Sequence, residues 1–408
     1  MLRTSTVLLR PTEEQESQLL SLLDHSARLW NTANYERRQA YFKRQRSPSY
    51  ASQCNTLKTS EHFKALGTCK SQALLQKLSE SWKSFRGLQR QLKRGELPSF
   101  ITKVRPPRYW KDGGKCLFVR NDGWRMGDEA ISISKSLKIK YSCGQLWVGK
   151  GGRLEIKYDR ISNRWYAHIP VTVEEKTEII QKPNRASVDL GVCNLVALAI
   201  EGVGKQIVWS GKQVLSDWQY WTKRIPHEQQ RLHYINGRKK SDELSRLYRI
   251  RMRRFRHAVN AMLRQIFEVL ETHEVGTLYI GDLNGIRENA DYGDNANQKI
   301  HNFWSFDIIK KRILELGEEY SIKVELVNEA NTSKTCYLCG ETGGRILRGL
   351  YYCRTDRTSF NADANGALNI LKVATNGTQS NPKFLSGSRL MAHPLLFKWD
   401  YSSWRSGT

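Results

Sequence analysis

The chain has 408 residues, of which 66 are Lys or Arg and 40 are Asp or Glu, giving a formal net charge of +26. A surface this positive repels itself unless a polyanion neutralises it, which points to nucleic acid or an anionic membrane surface as partner. The membrane is the weaker option. No run approaches the roughly 20 apolar residues of a spanning helix, and the short, interrupted apolar stretch in MLRTSTVLLRPTEEQ does not make a signal peptide, so an intracellular, cytoplasmic or nucleoid location is expected.

The chain begins with a strand-like TSTVLLR, followed by a helix start at Pro11-Thr12 and an amphipathic helix with Leu19, Leu22, Leu23 and Trp30 on one side. Residues 55–95 are helical again, with Leu74, Leu75, Leu78, Trp82 and Phe85 at helical spacing, and both stripes read as core. Gly95 and Pro98 end that part. From Phe100 to about Glu175 the pattern changes to short alternating segments split by Gly-rich turns (ISISKSLKIKY, QLWVGKG, RLEIKYD, RWYAHIPVTV), which predicts a small β-barrel. Residues 83–120 carry eleven basic and two acidic residues interleaved with Tyr109, Trp110 and Phe118, aromatics that either stack on bases or pack in a core.

A third region starts near Arg185. ASVDLGVCNLVALAIEG and KQIVWSG predict three strands in a meander, then a long helical pair from Ser216 to about Glu274. A strand (TLYIGDL), a helix (FDIIKKRILELGEEY), a strand (IKVELVNE), a cysteine-rich insert and a helix at Ala364–Ala374 follow. That order is the ribonuclease-H-like one, a mixed α/β architecture. The segment HPLLFKWDYSSW, near the end, has no place in this scheme.

Asp189 sits in the apolar strand SVDLGV, where a charge is costly to bury without a partner, and Asp363 sits at the first turn of the last helix. Singly, these are a turn Asp before a glycine and a helix N-terminal acid. In a ribonuclease-H-like domain the first strand and last helix meet at one end of the sheet, where such carboxylates bind two divalent ions that cut a phosphodiester. A third carboxylate is expected on the fourth strand, but Gly281 stands there. The candidates are Asp282, whose side chain belongs to the other strand face, and the favoured Glu329, which ends the next strand.

Cys336 and Cys339 form a C-x-x-C knuckle, and Cys353 follows after thirteen residues, whereas Cys54, Cys69, Cys116, Cys143 and Cys193 are scattered. The cluster reads as a zinc site rather than a disulfide framework. The fourth position holds Asp356, so the segment is either a three-Cys-plus-Asp zinc site or a ribbon that folds without metal. Lys334, Arg345, Arg348, Arg354 and Arg357 surround it, as suits a module lying on a phosphate backbone. Arg246, Arg249, Arg253 and Arg256 form a helical stripe in a stretch, Ser245–Arg264, that has no acid, and Phe255, Val259, Met262 and Ile266 form its apolar counterpart; phosphate contact is the favoured reading of the stripe.

With these residues in view, the chain resembles TnpB, the RNA-guided nuclease of insertion-sequence transposons, and its relatives among compact type V CRISPR effectors. The resemblance rests on LRPTEEQ, ARLWN, SVDLGVCNLVAL, IGDLNGIREN, NEANTSKTCYLCG and NADANGALNI, in the family's order across most of the chain. It implies a wedge-like β-barrel with a helical recognition lobe inserted, and a RuvC-like nuclease carrying a zinc-ribbon insert. The implied division is 1–45 (first wedge part and start of the helical lobe), 46–98 (helical recognition domain), 99–183 (wedge barrel), 184–335 (RuvC-like, first part), 336–356 (ribbon), 357–375 (RuvC-like, last part) and 376–408 (tail). Asp189 and Asp363 match the first and last RuvC carboxylates, and Glu329 matches the rearranged middle glutamate of some branches and of the Fanzor proteins. The expectation is an RNA-guided DNA endonuclease with two Mg²⁺, a structural Zn²⁺, a guide RNA and a double-stranded DNA target. The alternative, motivated by Gly281, is a nuclease-dead RNA-guided DNA-binding protein. A DNA-joining transposase is disfavoured, because no His-hydrophobic-His pair with a nearby Tyr stands out.

Overall fold

In a computed structural model the chain divides into two units, Met1–Glu175 and Lys176–Thr408. The structure describes residues 1–111, 116–142, 146–174, 182–237, 240–282, 303, 306–328, 332–347, 349–375 and 393–407.

The first unit opens with β1 (Leu2–Arg10), whose buried side chains alternate with exposed or half-buried ones. Thr12 then caps α1 (Glu13–Phe42) in a reciprocal box with Gln15, as Pro11-Thr12 predicts. Two short helices, α2 (Tyr50–Leu57) and α3 (Glu61–Leu66), lead into α4 (Thr68–Lys93). Strands β2 (Leu117–Val119), β3 (Arg125–Met126), β4 (Ala130–Ser132), β5 (Lys138–Ser142), β6 (Lys150–Gly151), β7 (Leu154–Asp159) and β8 (Arg164–Thr172) follow. They form one antiparallel half-barrel in the order β2-β7-β8-β1-β5-β4-β3, with β6 on β8. The first strand thus lies in the middle of a sheet whose remaining strands come after the helices. Leu19, Leu23, Trp30, Leu74, Leu78, Trp82 and Phe85 share a core with the strand residues Val7, Ile139, Ile156 and Ala167.

The aromatics of the basic stretch resolve differently from one another. Trp110 stacks on Trp30 at 4.5 Å and Phe118 is buried, so both belong to the core. Tyr109 is exposed, with the Arg38 guanidinium over its ring.

The second unit is built on a seven-stranded sheet. Its meander is β9 (Asn184–Leu190), β10 (Asn194–Ile200) and β11 (Ile207–Ser210). Helices α5 (Lys212–Asn236) and α6 (Asp242–Thr272) lead to β12 (Val275–Gly281), and α7 (Phe306–Tyr320) leads to β13 (Lys323–Val327). A three-stranded ribbon, β14 (Gly344–Leu347), β15 (Leu350–Cys353) and β16 (Thr358–Asn361), runs directly into α8 (Ala362–Ala374). The strand order β13-β12-β9-β10-β11, with β12 parallel to β9, is the ribonuclease-H-like one. The segment without a place in the sequence scheme supplies β17 (Leu395–Trp399) and β18 (Trp404–Ser406), of which β17 joins β11 in parallel and extends the sheet. Trp404 fixes this edge by donating its indole N–H to the Ala258 carbonyl on α6.

The two faces of this sheet are packed separately. Val188, Leu190, Val196, Leu198 and Trp209 face the apolar stripe Phe255, Val259, Met262 and Ile266 of α6, together with Ile309 and Ile313 of α7. Ala197, Ala199 and Val208, which alternate with them, face Ala362, Ala367 and Leu368 of α8 and the ribbon.

Candidate active site

Asp189 pairs across the sheet with Ala197, which places it on the face covered by α8. Neighbouring Ser187, on the same face, donates its hydroxyl to the Ala367 carbonyl of α8 at 2.6 Å. The helix runs so close that a Cβ on Gly366 would stand 2.5 Å from Asp189 Oδ2. Any side chain there would displace the carboxylate.

Asp363 lies three residues before Gly366, on the same side of α8. Asn361 caps this helix by accepting from the Asp363 and Ala364 amides. Asn194, at the start of β10, donates its side-chain amide to Asp363 Oδ2 at 2.6 Å, and Arg345 of β14 stands 3.9 Å from Oδ1. The β9–β10 end of the sheet and the first turn of α8 therefore bring Asp189 and Asp363 together. Carboxylates grouped this way are the donor set that Mg²⁺ takes, usually one or two protein acids with water and phosphate oxygens completing the shell.

Strand β12 runs beside β9 with Ile280 level with Val188, so Gly281 is one step on, level with Asp189 and bare of any side chain on that face. Its partner on β13 is Val327. Asp282 follows on the α7 face, where Lys310 of α7 stands 3.9 Å from its carboxylate. That position separates it from Asp189 by the thickness of the sheet. Glu329 lies outside the described residues.

The ribbon gathers Cys336, Cys339, Cys353 and Asp356, with one ligand atom from each within 4.8 Å of the others. Cys339 Sγ lies 3.5 Å from Cys353 Sγ, and Asp356 Oδ2 lies 3.2 Å from Cys353 Sγ and 3.6 Å from Cys336 Sγ. A tetrahedral zinc with bonds of about 2.3 Å to sulfur and about 2.1 Å to oxygen puts its ligands about 3.6–3.8 Å apart. The four groups fit that ion. Burial pushes the Cys336 thiol up to about 12, while the neighbouring Cys353 and Cys339 thiols hold the Asp356 carboxyl below its ordinary value. A bound cation reverses the cost at sulfur, since a coordinating thiol is deprotonated outright.

The ribbon is also tied to the helix that carries Asp363. Asn365 accepts from the Tyr337 amide and donates to the Thr335 carbonyl, and Asn369, one turn on, donates to the carbonyls of Thr332 and Thr335. Both amides are buried.

The arginine stripe of α6 is exposed at Arg246, Arg249, Arg253 and Arg256. Acids from elsewhere do offset its neighbours, contrary to the reading from this stretch alone: Arg254 pairs with Asp217 of α5, and Arg264 stands 3.9 Å from Glu319 of α7. Within the stripe itself, Arg246 pairs with Glu243 one turn back. Lys334 is exposed, and Arg348 lies outside the described residues.

Comparison with known proteins agrees with this architecture. Residues 168–287 match the family OrfB_IS605, described as a probable transposase, and residues 306–370 match the Cas12f1-like TNB domain. A TnpB-like protein of Acidianus two-tailed virus is 33% identical over 406 residues, covering 91% of this chain and 86% of that one. The chain belongs to the TnpB-like family. This TnpB-like chain is also 27% identical over 225 residues to the CRISPR-associated endodeoxyribonuclease Cas12f1 of Sulfoacidibacillus thermotolerans, covering 53% of this chain and 52% of that protein. A cryo-EM structure of a Cas12f1–sgRNA–target DNA complex superposes with a TM-score of 0.55 at 14% identity, covering 88% of this chain and 83% of that one, a likeness of fold.

Several residues of the TnpB-like site escape sequence reasoning. Asn194 and Gly366 matter only through contacts with Asp363 and Asp189 that span much of the chain. The pair Asn365 and Asn369 left a trace, two amides four apart in a helix that is otherwise mostly Ala, Leu and Ile. Uncharged amides on a buried helix need partners, and here the ribbon supplies them.

Proposed function

We propose that the chain is an RNA-guided DNA endonuclease whose RuvC-like site contains Asp189, Glu329 and Asp363. The observation that carries this reading is the convergence of Asp189 and Asp363 across Gly366, in a chain with a net charge of +26. Glu329 enters from the sequence, two residues beyond Val327, the partner of Gly281. Two divalent ions held by such acids would supply an activated water and stabilise the leaving oxygen of a phosphodiester. The protein groups around them have separate tasks. Asn194 fixes the orientation of Asp363, Gly366 lets the helix backbone meet Asp189, and Arg345 adds a positive charge beside Asp363. A guide RNA would pair with the target strand and carry most of the sequence recognition. The exposed stripe Arg246, Arg249, Arg253 and Arg256, with Lys334 and Arg348, would contact phosphate backbones. Cys336, Cys339, Cys353 and Asp356 would hold a structural Zn²⁺. The division into wedge, recognition, RuvC-like and ribbon segments given above is part of the same proposal.

The test is cleavage of matched DNA by the complex of the protein with its copurifying RNA. Asp189→Ala should abolish Mg²⁺-dependent cutting and leave RNA binding intact. Cutting retained by that variant would remove Asp189 from the site. Gly281, bare beside Asp189, favours a second reading as a nuclease-dead RNA-guided DNA-binding protein. Target binding without cleavage by the unmodified complex would establish that reading instead.

A further inference from the structure

The first unit brings two histidines and a glutamate together, far along the chain from the candidate active site and the ribbon. His25 on α1 and His62 on α3 face each other with their Nδ1 atoms 3.0 Å apart, across 37 residues of sequence. The rings are tilted, with 44° between planes and centroids 5.3 Å apart, so they meet through their edges and not face to face. Glu61, the first residue of α3, contributes a carboxylate oxygen, and all three ligand atoms lie within 4.8 Å of one another.

The helices that hold these groups are themselves well anchored. His25 is followed by the buried Ser26 and Ala27, and Leu29 is buried one turn on. On α3, Ser60 caps the helix by accepting from the Phe63 amide, Phe63 and Leu66 are buried, and Ser71 donates its hydroxyl to the Phe63 carbonyl. The carboxylate next to His25 is engaged elsewhere, since Asp24 pairs with Arg28 at 2.8 Å. The three ligands are thus presented by two fixed helices, and none has to be recruited from a loop.

We propose that His25, Glu61 and His62 form a binding site for a divalent transition-metal ion, with zinc as its simplest occupant, which cross-links α1 to α3. Metal–nitrogen bonds of about 2.0–2.1 Å place two imidazole nitrogens about 2.9 Å apart at a right angle and about 3.4 Å apart at the tetrahedral angle. The observed 3.0 Å lies at the right-angle end of that interval, and tetrahedral zinc would spread the two rings by about 0.4 Å. Two imidazoles and one carboxylate are the donor set of zinc, copper, nickel and iron, whereas Mg²⁺ takes oxygen ligands. Three protein ligands also leave a coordination position for water or an incoming group. The competing account is a plain hydrogen bond between two neutral rings in complementary tautomers, with Glu61 serving only as a helix N-terminal acid. The two accounts differ in whether the cluster binds an ion.

The experiment uses the full, untagged chain, stripped with chelator and then equilibrated with excess zinc and desalted, with bound metal counted by mass spectrometry. Wild type should retain one equivalent more than His62→Gln, and His25→Gln should show the same loss. Cys353→Ser reports the ribbon separately and should leave the histidine site occupied. Cobalt distinguishes the two kinds of site, because only the thiolate ribbon gives intense sulfur-to-metal charge-transfer absorption. The histidine variants should keep whatever charge-transfer band the wild type shows. Equal metal content in wild type and both histidine variants would overturn the proposal and leave the hydrogen bond. If the histidine variants fail to fold, the Cys353→Ser chain decides alone: one retained equivalent without thiolate absorption supports the site, and none refutes it.

Discussion

The two faces of the seven-stranded sheet are made of the same strands and built to different rules. The α6–α7 face is filled with Val, Leu, Phe, Met and Trp, and its large side chains interlock. The α8 face is mostly small, with Ala, Gly and Ser beside Val208 on the strands and Ala and Gly beside Leu368 on the helix, and so α8 comes near enough for Ser187 to bond its backbone and for Asp189 to meet Gly366. The first arrangement secures the sheet through burial of apolar area. The second gives up side-chain volume to bring a helix, two carboxylates and a ribbon within hydrogen-bond reach. A sheet that carried large side chains on both faces would have no room for Asp189 beside α8.

That contrast makes unequal demands on the two faces. Phe267→Ala, a deletion in the middle of the α6 packing where the ring is fully buried, should cost about 3–5 kcal/mol of stability. Denaturant unfolding measures it, and a cost near zero would mean that the face does not bear the sheet's stability. Gly366→Ala should do little to folding by comparison but should lower DNA cleavage about 100-fold, the scale on which a misplacement of about 1 Å is felt in catalysis. Cleavage rates at matched RNA occupancy test it, and unchanged cleavage would show that the contact with Asp189 has no bearing on the reaction. Asn369→Ala should cost about 1–3 kcal/mol by removing two buried hydrogen bonds, to the Thr332 and Thr335 carbonyls, at about 0.5–1.5 kcal/mol each. Hydrogen exchange should then show faster exchange in the ribbon and unchanged protection in α6.

Much of the fold was readable because it is periodic. The stripes of α1, α4 and α6, the meander β9–β11 and the match between α7 and FDIIKKRILELGEEY all rest on local spacing. Asp189 and Asp363 were readable because a charge in an apolar strand and an acid opening an apolar helix each stand out. What remained hidden depends on distance along the chain. The roles of Asn194 and Gly366 exist only when β10 and β9 meet α8. Trp110 and Phe118 went to the core because α1 supplies Trp30, a partner far from the basic stretch itself. The pairing of Arg254 with Asp217 likewise comes from another helix. Strands β17 and β18 are short and rich in aromatics, and nothing in five or three residues names β11 as the neighbour of β17.

The position of β17 bears on the order in which the nuclease sheet is assembled. Leu395 pairs with Ile207, so the seam between β11 and β17 closes a very long loop of chain. During synthesis β11 emerges early and waits with one edge open while the helices, β12, β13 and the ribbon are made. An open strand edge is a template for wrong pairing, and contacts so distant in sequence form slowly. The sheet is therefore most vulnerable to aggregation in the interval before Leu395–Trp399 arrives, and a chaperone that shields strand edges would act on it there.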